Sequence, residues 1–326
     1  MPELPEVEVV RSGLEPAVTG AALMRVEVLD ERSLRRHDGP AEDFVQRLTG
    51  AAFGVPERRG KFLWIPVVDP GSETPAGAGA GVGTGAAAKA GDGAGLRAES
   101  ALVIHLGMSG QLLLREPAAV RDRLTRVVLE VRHPEHGELR IDFVDQRIFG
   151  SMALDTLVPT SDHPGQRVPG RVAHIARDPL DPRFDDSAFF DALARKRTTI
   201  KRALLDQTLV SGIGNIYADE SLWAAQVHYE QPTATLGRAR ASALLAQVRL
   251  VLGRALAEGG TSFDAQYVNV NGASGYFSHS LNAYGRQGEP CPRCGRPIVR
   301  ENFMNRGSHF CAFCQPAGAD RSRTSL

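Results

Sequence analysis

Two Cys-x-x-Cys turns near the C-terminal end restrict the possible folds of this chain more than any other motif. They contain all four cysteines of the 326-residue sequence: Cys291, Cys294, Cys311 and Cys314. The 16 residues between the turns fit the spacing of a zinc site built from four thiolates. Such a site is a closed tetrahedron that stabilises structure and leaves no coordination position for catalysis. Two disulfides are the alternative, and the intervening residues predict a β-hairpin with Arg300 to Arg306 at its tip.

Apolar periodicity divides the rest of the chain into a β-rich part and a helical part. Residues 2–18 have apolar side chains at helical spacing, and short apolar segments separated by turn residues follow. The predicted strands are Leu23–Leu29, Phe53–Val55, Phe62–Val68, Leu102–Leu106, Gln111–Leu114, Arg126–Val131 and Leu139–Phe143. The predicted later helices are Ser187–Ala194, Thr198–Gln207, Asn215–Ala225 and Ala239–Glu258. We therefore predict an α+β fold: an N-terminal β-sandwich with an N-terminal helix, then a helical domain and the zinc hairpin.

Composition suggests where the domains end. The predicted units are a β-sandwich at 1–158, a helical domain at 159–285, a zinc finger at 286–316 and a loose tail at 317–326. Gly, Ala, Ser and Pro dominate residues 69–100, which predicts a flexible insertion between two strands. No apolar run approaches the ~18 residues of a membrane span. We expect a cytoplasmic protein with reduced cysteines.

Charge is distributed unevenly along the chain. The formal net charge is zero, but from Arg195 onward there are 16 Lys/Arg against 9 Asp/Glu, a net of +7 that leaves −7 for the preceding part. Arg195-Lys196-Arg197 and Lys201-Arg202 form a basic cluster at the start of this part. A polyanion would bind mainly there, although a solvated helix face is the alternative.

A glycine-rich turn follows the basic cluster. Gly212 and Gly214 permit a tight turn with exposed amides, and Asn215 stands where a helix N-cap is expected. The start of such a helix is a typical phosphate site. A packing corner between two helices is the alternative, which the neighbouring basic residues make less favourable.

The N-terminus could supply a nucleophile. Removal of Met1 would leave Pro2 with a secondary α-amine, whose pKa of ~7.7–8 keeps much of it uncharged near neutral pH. Its attack on a sugar C1′ would give an iminium that stays cationic and can act as an electron sink. Glu3 and Glu6 lie within one helical turn, where carboxyl groups can donate or accept protons. The alternative is that this segment only caps a helix.

These residues together resemble the formamidopyrimidine-DNA glycosylase and endonuclease VIII family. The resemblance covers nearly the whole chain, and its motifs occur in the family's order: Met1 to Glu8, Gly60-Lys61, His105 to Gly110, Gly212 to Tyr217 and the zinc turns. Leu4 favours the formamidopyrimidine branch, because the other branch typically has Gly there. The resemblance implies a helix–two-turn–helix motif in the helical domain and DNA in the cleft between the domains.

The resemblance also implies a role for each matching residue. Pro2 would form the Schiff base, Glu3 would protonate the sugar and Glu6 would support the site. The residues implied to contact DNA, at the damaged nucleotide or the flanking phosphates, are Lys61, His105, Asn215, Tyr284 and Arg306. Met108, Arg147 and Phe149 would fill the gap left by a flipped nucleotide, although Met108 and Phe149 are also compatible with an ordinary core. Residues 263–276 would form a loop over the extruded base.

The implied function is base-excision repair. We expect a monomeric glycosylase and AP lyase that removes formamidopyrimidines and 8-oxoguanine opposite cytosine from damaged double-stranded DNA, with β,δ-elimination, at the nucleoid. One structural Zn²⁺ is the implied cofactor. Excision of oxidised pyrimidines and a catalytically silent zinc-dependent DNA-binding protein are the two alternatives.

Overall fold

The computed structural model describes residues 2–68, 98–261, 270 and 277–317. The helices are α1 (Leu4–Val18), α2 (Ala41–Leu48), α3 (Asp186–Arg195), α4 (Ile200–Leu204), α5 (Asn215–Ala224), α6 (Thr233–Leu236) and α7 (Arg238–Ala257). Short 3₁₀ helices span Glu31–Leu34, Gly170–Val172 and Phe277–Ser280. The strands are β1 (Ala22–Val28), β2 (Ala52–Phe53), β3 (Glu57–Arg59), β4 (Phe62–Val68), β5 (Ser100–His105), β6 (Gly110–Arg115), β7 (Thr125–His133), β8 (Gly137–Asp145), β9 (Ser151–Pro159), β10 (Arg167–Pro169), β11 (Val299–Phe303) and β12 (Arg306–Phe310).

The N-terminal half is built around one antiparallel sheet. Among the described residues its strands run in the order β10-β9-β5-β4-β2-β1-β7-β8-β6, and β3 pairs with β4 beside this path. Ile104 from one half of the sheet and Leu129 from the other pack into the same core, together with Val10 and Leu14 of α1. The sheet therefore folds over a shared core, as expected for a β-sandwich that carries the N-terminal helix.

The second half is helical and packs around a different core. Buried apolar side chains of α3, α4, α5 and α7 meet there, and Phe303 and Phe310 of the hairpin join them. Leu4 also belongs to this core, although it is the first residue of α1. Arg58 adds a polar link, because its guanidinium donates to Glu8 of α1 at 2.8 Å and to Asp178 at 3.0 Å. The beginning of α1 is thus held between the sheet and the helices.

Several predicted boundaries were wrong. β9 and β10 were not predicted as strands, and β10 is an edge strand, where the missing N–H of a proline costs little. The helix predicted over Thr198–Gln207 is only Ile200–Leu204. Arg300 to Phe303 are strand residues, so the hairpin tip consists of Met304 and Asn305.

Some predictions concern residues outside the described ranges. They include most of the insertion predicted at 69–100, of which only residues 98–100 are described, and most of the tail. Of the loop predicted at 263–276, only Val270 is described, and it packs into the N-terminal core. The domain boundaries stay predictions. In the described part of the chain, we find no helix with the length and apolar character that crossing a bilayer requires.

Candidate active site and nucleic-acid interface

The carboxyl group of Glu3 lies at the start of α5. It accepts hydrogen bonds from the amides of Gly214 at 2.6 Å, Ile216 at 3.0 Å and Tyr217 at 3.4 Å. Free amides at a helix N-terminus favour a negative charge, so α5 forms an anion site and Glu3 occupies it. A Cβ at Gly214 would collide with this carboxyl group, which explains why a glycine is needed at that position.

This location corrects the expectation for the glycine turn. The amides of Gly214, Ile216 and Tyr217 are not available to a phosphate, and the amide of Gly212 donates to Gln207 at 2.9 Å. The N-cap of α5 is Gly214, so Asn215 is the first helical residue. The turn therefore holds the N-terminal segment of the chain.

Burial makes Glu3 a weaker acid than an ordinary glutamate. Only 1% of the residue is exposed, and this burial raises the pKa of Glu3 above its ordinary value. The charge of Lys61 opposes the rise, while the carboxylate of Glu6 adds to it. A raised pKa favours the protonated form of the carboxyl group, which is the form that can donate a proton.

Glu6 fixes the geometry of the N-terminus. One carboxylate oxygen accepts the Glu3 amide at 2.8 Å, which closes the capping box of α1. The other accepts the hydroxyl of Tyr217 at 2.6 Å, and the amide and hydroxyl of Thr261 at 2.8 and 2.9 Å. Both carboxylate oxygens of Glu6 are thus engaged in hydrogen bonds, and Pro2 is also buried. This arrangement fits the predicted supporting role.

Lys61 and Arg306 line one basic cavity between the domains. Its lining consists of Lys61, Lys196, Arg197, Thr198, Arg202, Ala203, Leu205, Asp206, Gln207, Met304 and Arg306. Burial lowers the pKa of Lys61, and the nearby carboxylates of Glu3 and Glu6 oppose that change. A surplus of cations in an open cavity is suited to a polyanion. Sequence reasoning had named Lys61, Arg306 and three members of the basic cluster separately, and the fold brings them together.

Lys201 does not belong to the exposed basic cluster, contrary to the sequence prediction. It is 0% exposed, and its ammonium group pairs with Asp219 at 2.6 Å and donates to Ser308 at 2.7 Å. Asp219 also accepts the backbone amide of His309 at 2.8 Å. The pair ties α4 and α5 to β12 and so fixes the strand that begins with Arg306.

Two acidic residues that sequence reasoning missed hold the predicted DNA-contacting segments. Besides Asp219, its neighbour Glu220 accepts the amides of Ala283 and Tyr284, both at 2.8 Å. Asn215 also contributes, because its side-chain amide donates to the Gly307 carbonyl at 3.1 Å. Consecutive acidic residues inside a buried helix were the available signal, because buried carboxylates need partners.

The predicted plug residues protrude from two adjoining loops. Met108 is 43% exposed and Phe149 is 50% exposed, and Arg147 is also exposed. Gly107, with φ of 64°, has no room for a Cβ against the backbone of Phe149, so the loops touch directly. Core packing of Met108 and Phe149 was thus the wrong alternative, since both side chains reach solvent.

His105 stands just before the first of these loops. Its Nδ1 accepts the Gly107 amide at 3.1 Å, which leaves the proton of the neutral ring on Nε2. Burial, with the charges of Arg36, Lys61 and Arg35, lowers the pKa of His105 to about 4. The residue therefore offers a neutral N–H donor, which fits the predicted phosphate contact.

The four cysteines form the predicted cluster. All are free thiols, and their Sγ atoms lie within 4.8 Å of one another. The indole N–H of Trp223 in α5 donates to the Cys291 Sγ at 3.4 Å. Four convergent thiols with an outer hydrogen-bond donor fit one structural zinc ion.

Fold and site together define a class of protein: a DNA glycosylase with an N-terminal β domain, a helix–two-turn–helix domain and a zinc finger. Family models match at residues 1–152 (formamidopyrimidine-DNA glycosylase N-terminal domain), 175–266 (its H2TH domain) and 288–317 (zinc finger found in FPG and IleRS). The chain belongs to the formamidopyrimidine-DNA glycosylase family. It is accordingly a base-excision repair enzyme, a DNA glycosylase with AP lyase activity.

Individual relatives agree with this assignment. The formamidopyrimidine-DNA glycosylase of Leifsonia xyli subsp. xyli is 60% identical over 97% of this chain and 99% of its own length. That of Thermobifida fusca is 52% identical over 97% and 98%. A Lactococcus lactis FPG mutant solved with Fapy-dG-containing DNA is 28% identical, with a TM-score of 0.76 over 97% of this chain and 100% of that one. The L. lactis Fpg complex with abasic-site DNA has a TM-score of 0.74 at the same identity and coverage.

Proposed function

We propose that the chain removes formamidopyrimidines and 8-oxoguanine opposite cytosine from damaged double-stranded DNA. The observation that carries the proposal is the Glu3 carboxyl group, buried directly after Pro2 and beside Lys61. An acid with a raised pKa next to a potential amine nucleophile suits a reaction that opens a sugar ring. The complexes of the L. lactis protein with Fapy-dG and abasic-site DNA support the substrate class.

The proposed chemistry starts after removal of Met1. The Pro2 nitrogen attacks C1′ of the damaged nucleotide, the N-glycosidic bond breaks, and the base leaves with its electron pair and takes up the proton that the Pro2 nitrogen loses. Glu3 donates a proton to the ring oxygen, the C1′–O4′ bond opens, and an iminium forms between Pro2 and C1′. Loss of a C2′ proton then expels the 3′-phosphate, and a second elimination expels the 5′-phosphate.

The remaining residues would prepare the nucleotide for this attack. C1′ is inaccessible in an intact stack, so the nucleotide must be flipped and the gap filled. Met108, Arg147 and Phe149 are the proposed filling residues, with Arg147 facing the orphaned cytosine. Lys61, His105, Asn215, Tyr284 and Arg306 are the proposed contacts to the damaged nucleotide and flanking phosphates. We also propose that the protein acts as a monomer on nucleoid DNA in the cytoplasm, where thiols stay reduced.

The test is borohydride trapping on an 8-oxoguanine:cytosine duplex. Reduction of the iminium should give a covalent protein–DNA adduct, and mass spectrometry should locate it on Pro2 of a chain that lacks Met1. Glu3→Gln should form adduct about 100-fold more slowly or worse, because it cannot donate the proton. A thymine-glycol duplex serves as the comparison substrate, because it contains an oxidised pyrimidine instead of an oxidised purine. Faster trapping on thymine glycol, or full activity with Met1 retained, would contradict the proposal.

A further inference from the structure

Arg35 holds the loop between β8 and β9 by its backbone. We call residues 146–150 the plug loop, because they include Arg147 and Phe149. Nη1 of Arg35 donates to the carbonyls of Ile148 at 3.0 Å and Gly150 at 2.6 Å, and Nη2 donates to that of Phe149 at 2.5 Å. One planar guanidinium thus binds three successive carbonyl groups, in a segment more than a hundred positions away in sequence.

Asp145 holds the same loop from the other side. Its carboxylate, 0% exposed, accepts the amides of Gly150 at 2.7 Å and Arg147 at 3.1 Å. It also accepts the Ser109 hydroxyl at 2.6 Å, which attaches the loop that carries Met108. Two amide groups of the plug loop are therefore bound by an anion and three of its carbonyl groups by a cation.

The conformation held in this way is strained. Ile148 has a φ of 54°, a left-handed value that is costly for a β-branched residue. Such a conformation persists only where its surroundings fix it. The Phe149 side chain nevertheless stays 50% exposed, so the contacts constrain the backbone and leave the side chain free.

We propose that Arg35, opposite Asp145, is a positioning residue that keeps the plug loop in its inserting conformation before DNA binds. This inference rests on the proposed function, because it assumes that Arg147 and Phe149 enter the base stack. A loop that is already ordered loses less conformational entropy when it inserts. Arg35 itself acts through the backbone of the loop and does not need to touch DNA.

The rival explanation is that Arg35 is an ordinary phosphate contact, and substitutions at one position separate the two. Arg35→Lys keeps the charge but replaces a planar fork with a single ammonium group, which cannot bind three carbonyls in the same geometry. A phosphate contact tolerates this change, whereas the positioning role does not. Arg32→Gln is the matched control, because Arg32 lies in the short helix that ends at Arg35, and among the described residues its guanidinium pairs only with Asp30.

The experiment compares two substrates under single-turnover conditions. The first is 8-oxoguanine paired with cytosine in a duplex, where the stack must be opened. The second is a preformed abasic site inside an unpaired bubble, where it need not. Arg35→Lys should slow excision on the duplex by about tenfold or more, the equivalent of losing charge-assisted hydrogen bonds. Its rate on the bubble should change by less than about threefold, as should both rates of Arg32→Gln.

Fluorescence of 2-aminopurine next to the lesion should rise more slowly with Arg35→Lys, since it reports unstacking. Unchanged excision from the duplex would overturn the proposal, and so would an equal loss on both substrates. Normal kinetics of Arg35→Lys, combined with a lower salt slope of DNA binding for Arg35→Gln, would identify a phosphate contact instead. If the wild-type chain itself forms no borohydride adduct, the proposed function fails, and the 2-aminopurine signal still tests the loop.

Discussion

Single residues at this site have their chemistry set by neighbours from distant parts of the chain. Glu3 is an ordinary carboxyl group in sequence, and burial in the fold raises its pKa, although the charge of Lys61 and the amides of Gly214 and Ile216 act in the opposite direction. His105 changes in the opposite sense, because burial and three cations keep its ring neutral. Both effects arise from removing a charge from water or placing it near another charge.

His105 should make folding stability sensitive to acid. Its pKa of about 4 in the folded chain is below the ordinary value of 6.5. Between these values the unfolded chain binds the additional proton, so the free energy of unfolding decreases as pH falls from 6.5 toward 4. In His105→Asn this pH-dependent contribution to the free energy of unfolding is absent, because asparagine does not titrate. As pH falls through this range, the melting temperature of the variant should therefore rise relative to that of the wild type, by a few degrees at the acid end. A difference in melting temperature that does not change with pH would refute the assignment.

At the scale of elements, the start of α5 joins the two halves of the site. Its amides hold Glu3, and Asp219 and Glu220 farther along the helix hold β12 and the Tyr284 segment. One helix therefore sets the distance between the proposed acid and the proposed phosphate contacts. A small change in this element should affect catalysis more than it affects stability.

Gly214→Ala is the corresponding substitution. The added Cβ would overlap the Glu3 carboxyl group and displace it from the amides. We expect excision to slow by about 100-fold, which is the rate enhancement that a well-positioned general acid typically provides. Binding to undamaged duplex should change little. Gly253→Ala on α7 is the control, because its Cβ would meet nothing within 4 Å and alanine favours a helix. Equal activity of the two variants in a glycosylase assay would argue against the amide site.

At the scale of the whole molecule, the zinc hairpin and the helical domain form one unit. Phe303 and Phe310 lie in the helical core, and the buried pair of Lys201 and Asp219 connects α4 and α5 to β12. Arg306 is therefore presented to the basic cavity by a strand that is fixed at its far end by the cysteine cluster. Its effect on DNA binding should depend on that cluster.

Arg306→Ala should weaken binding to damaged and undamaged duplex alike. A phosphate contact carries no base information, so the plot of log K against log salt concentration should become shallower by about one unit. Fluorescence anisotropy over a salt series measures both quantities. A loss confined to the damaged duplex would assign Arg306 to the lesion instead.

Removing zinc should weaken DNA binding. Without the metal the two Cys-x-x-Cys turns lose the bonds that join them, so chelation with thiol blocking should release the hairpin and misplace Arg306. Binding should fall by at least about tenfold, with metal content verified by elemental analysis and hairpin order by hydrogen exchange. Unchanged affinity after verified zinc loss would remove the structural role assigned to the cluster.

The sequence by itself determined the features that depend on local spacing. The Cys-x-x-Cys turns gave the metal cluster, the helical spacing of Val7, Val10 and Leu14 gave α1, and Phe62–Val68 was predicted with its observed bounds. These depend on neighbours along the chain, which a sequence displays directly. The residues of the proposed site were also named in advance, since their motifs are short and ordered.

Only the tertiary structure decided what those residues touch. The glycine turn was predicted to hold phosphate and instead holds Glu3, while Lys201 was predicted to be exposed and is buried against Asp219. Arg35 reaches a loop that begins over a hundred residues later. Charge, burial and hydrogen bonding depend on which distant segments meet, and a linear pattern does not encode that meeting, because many partners satisfy the same local preferences.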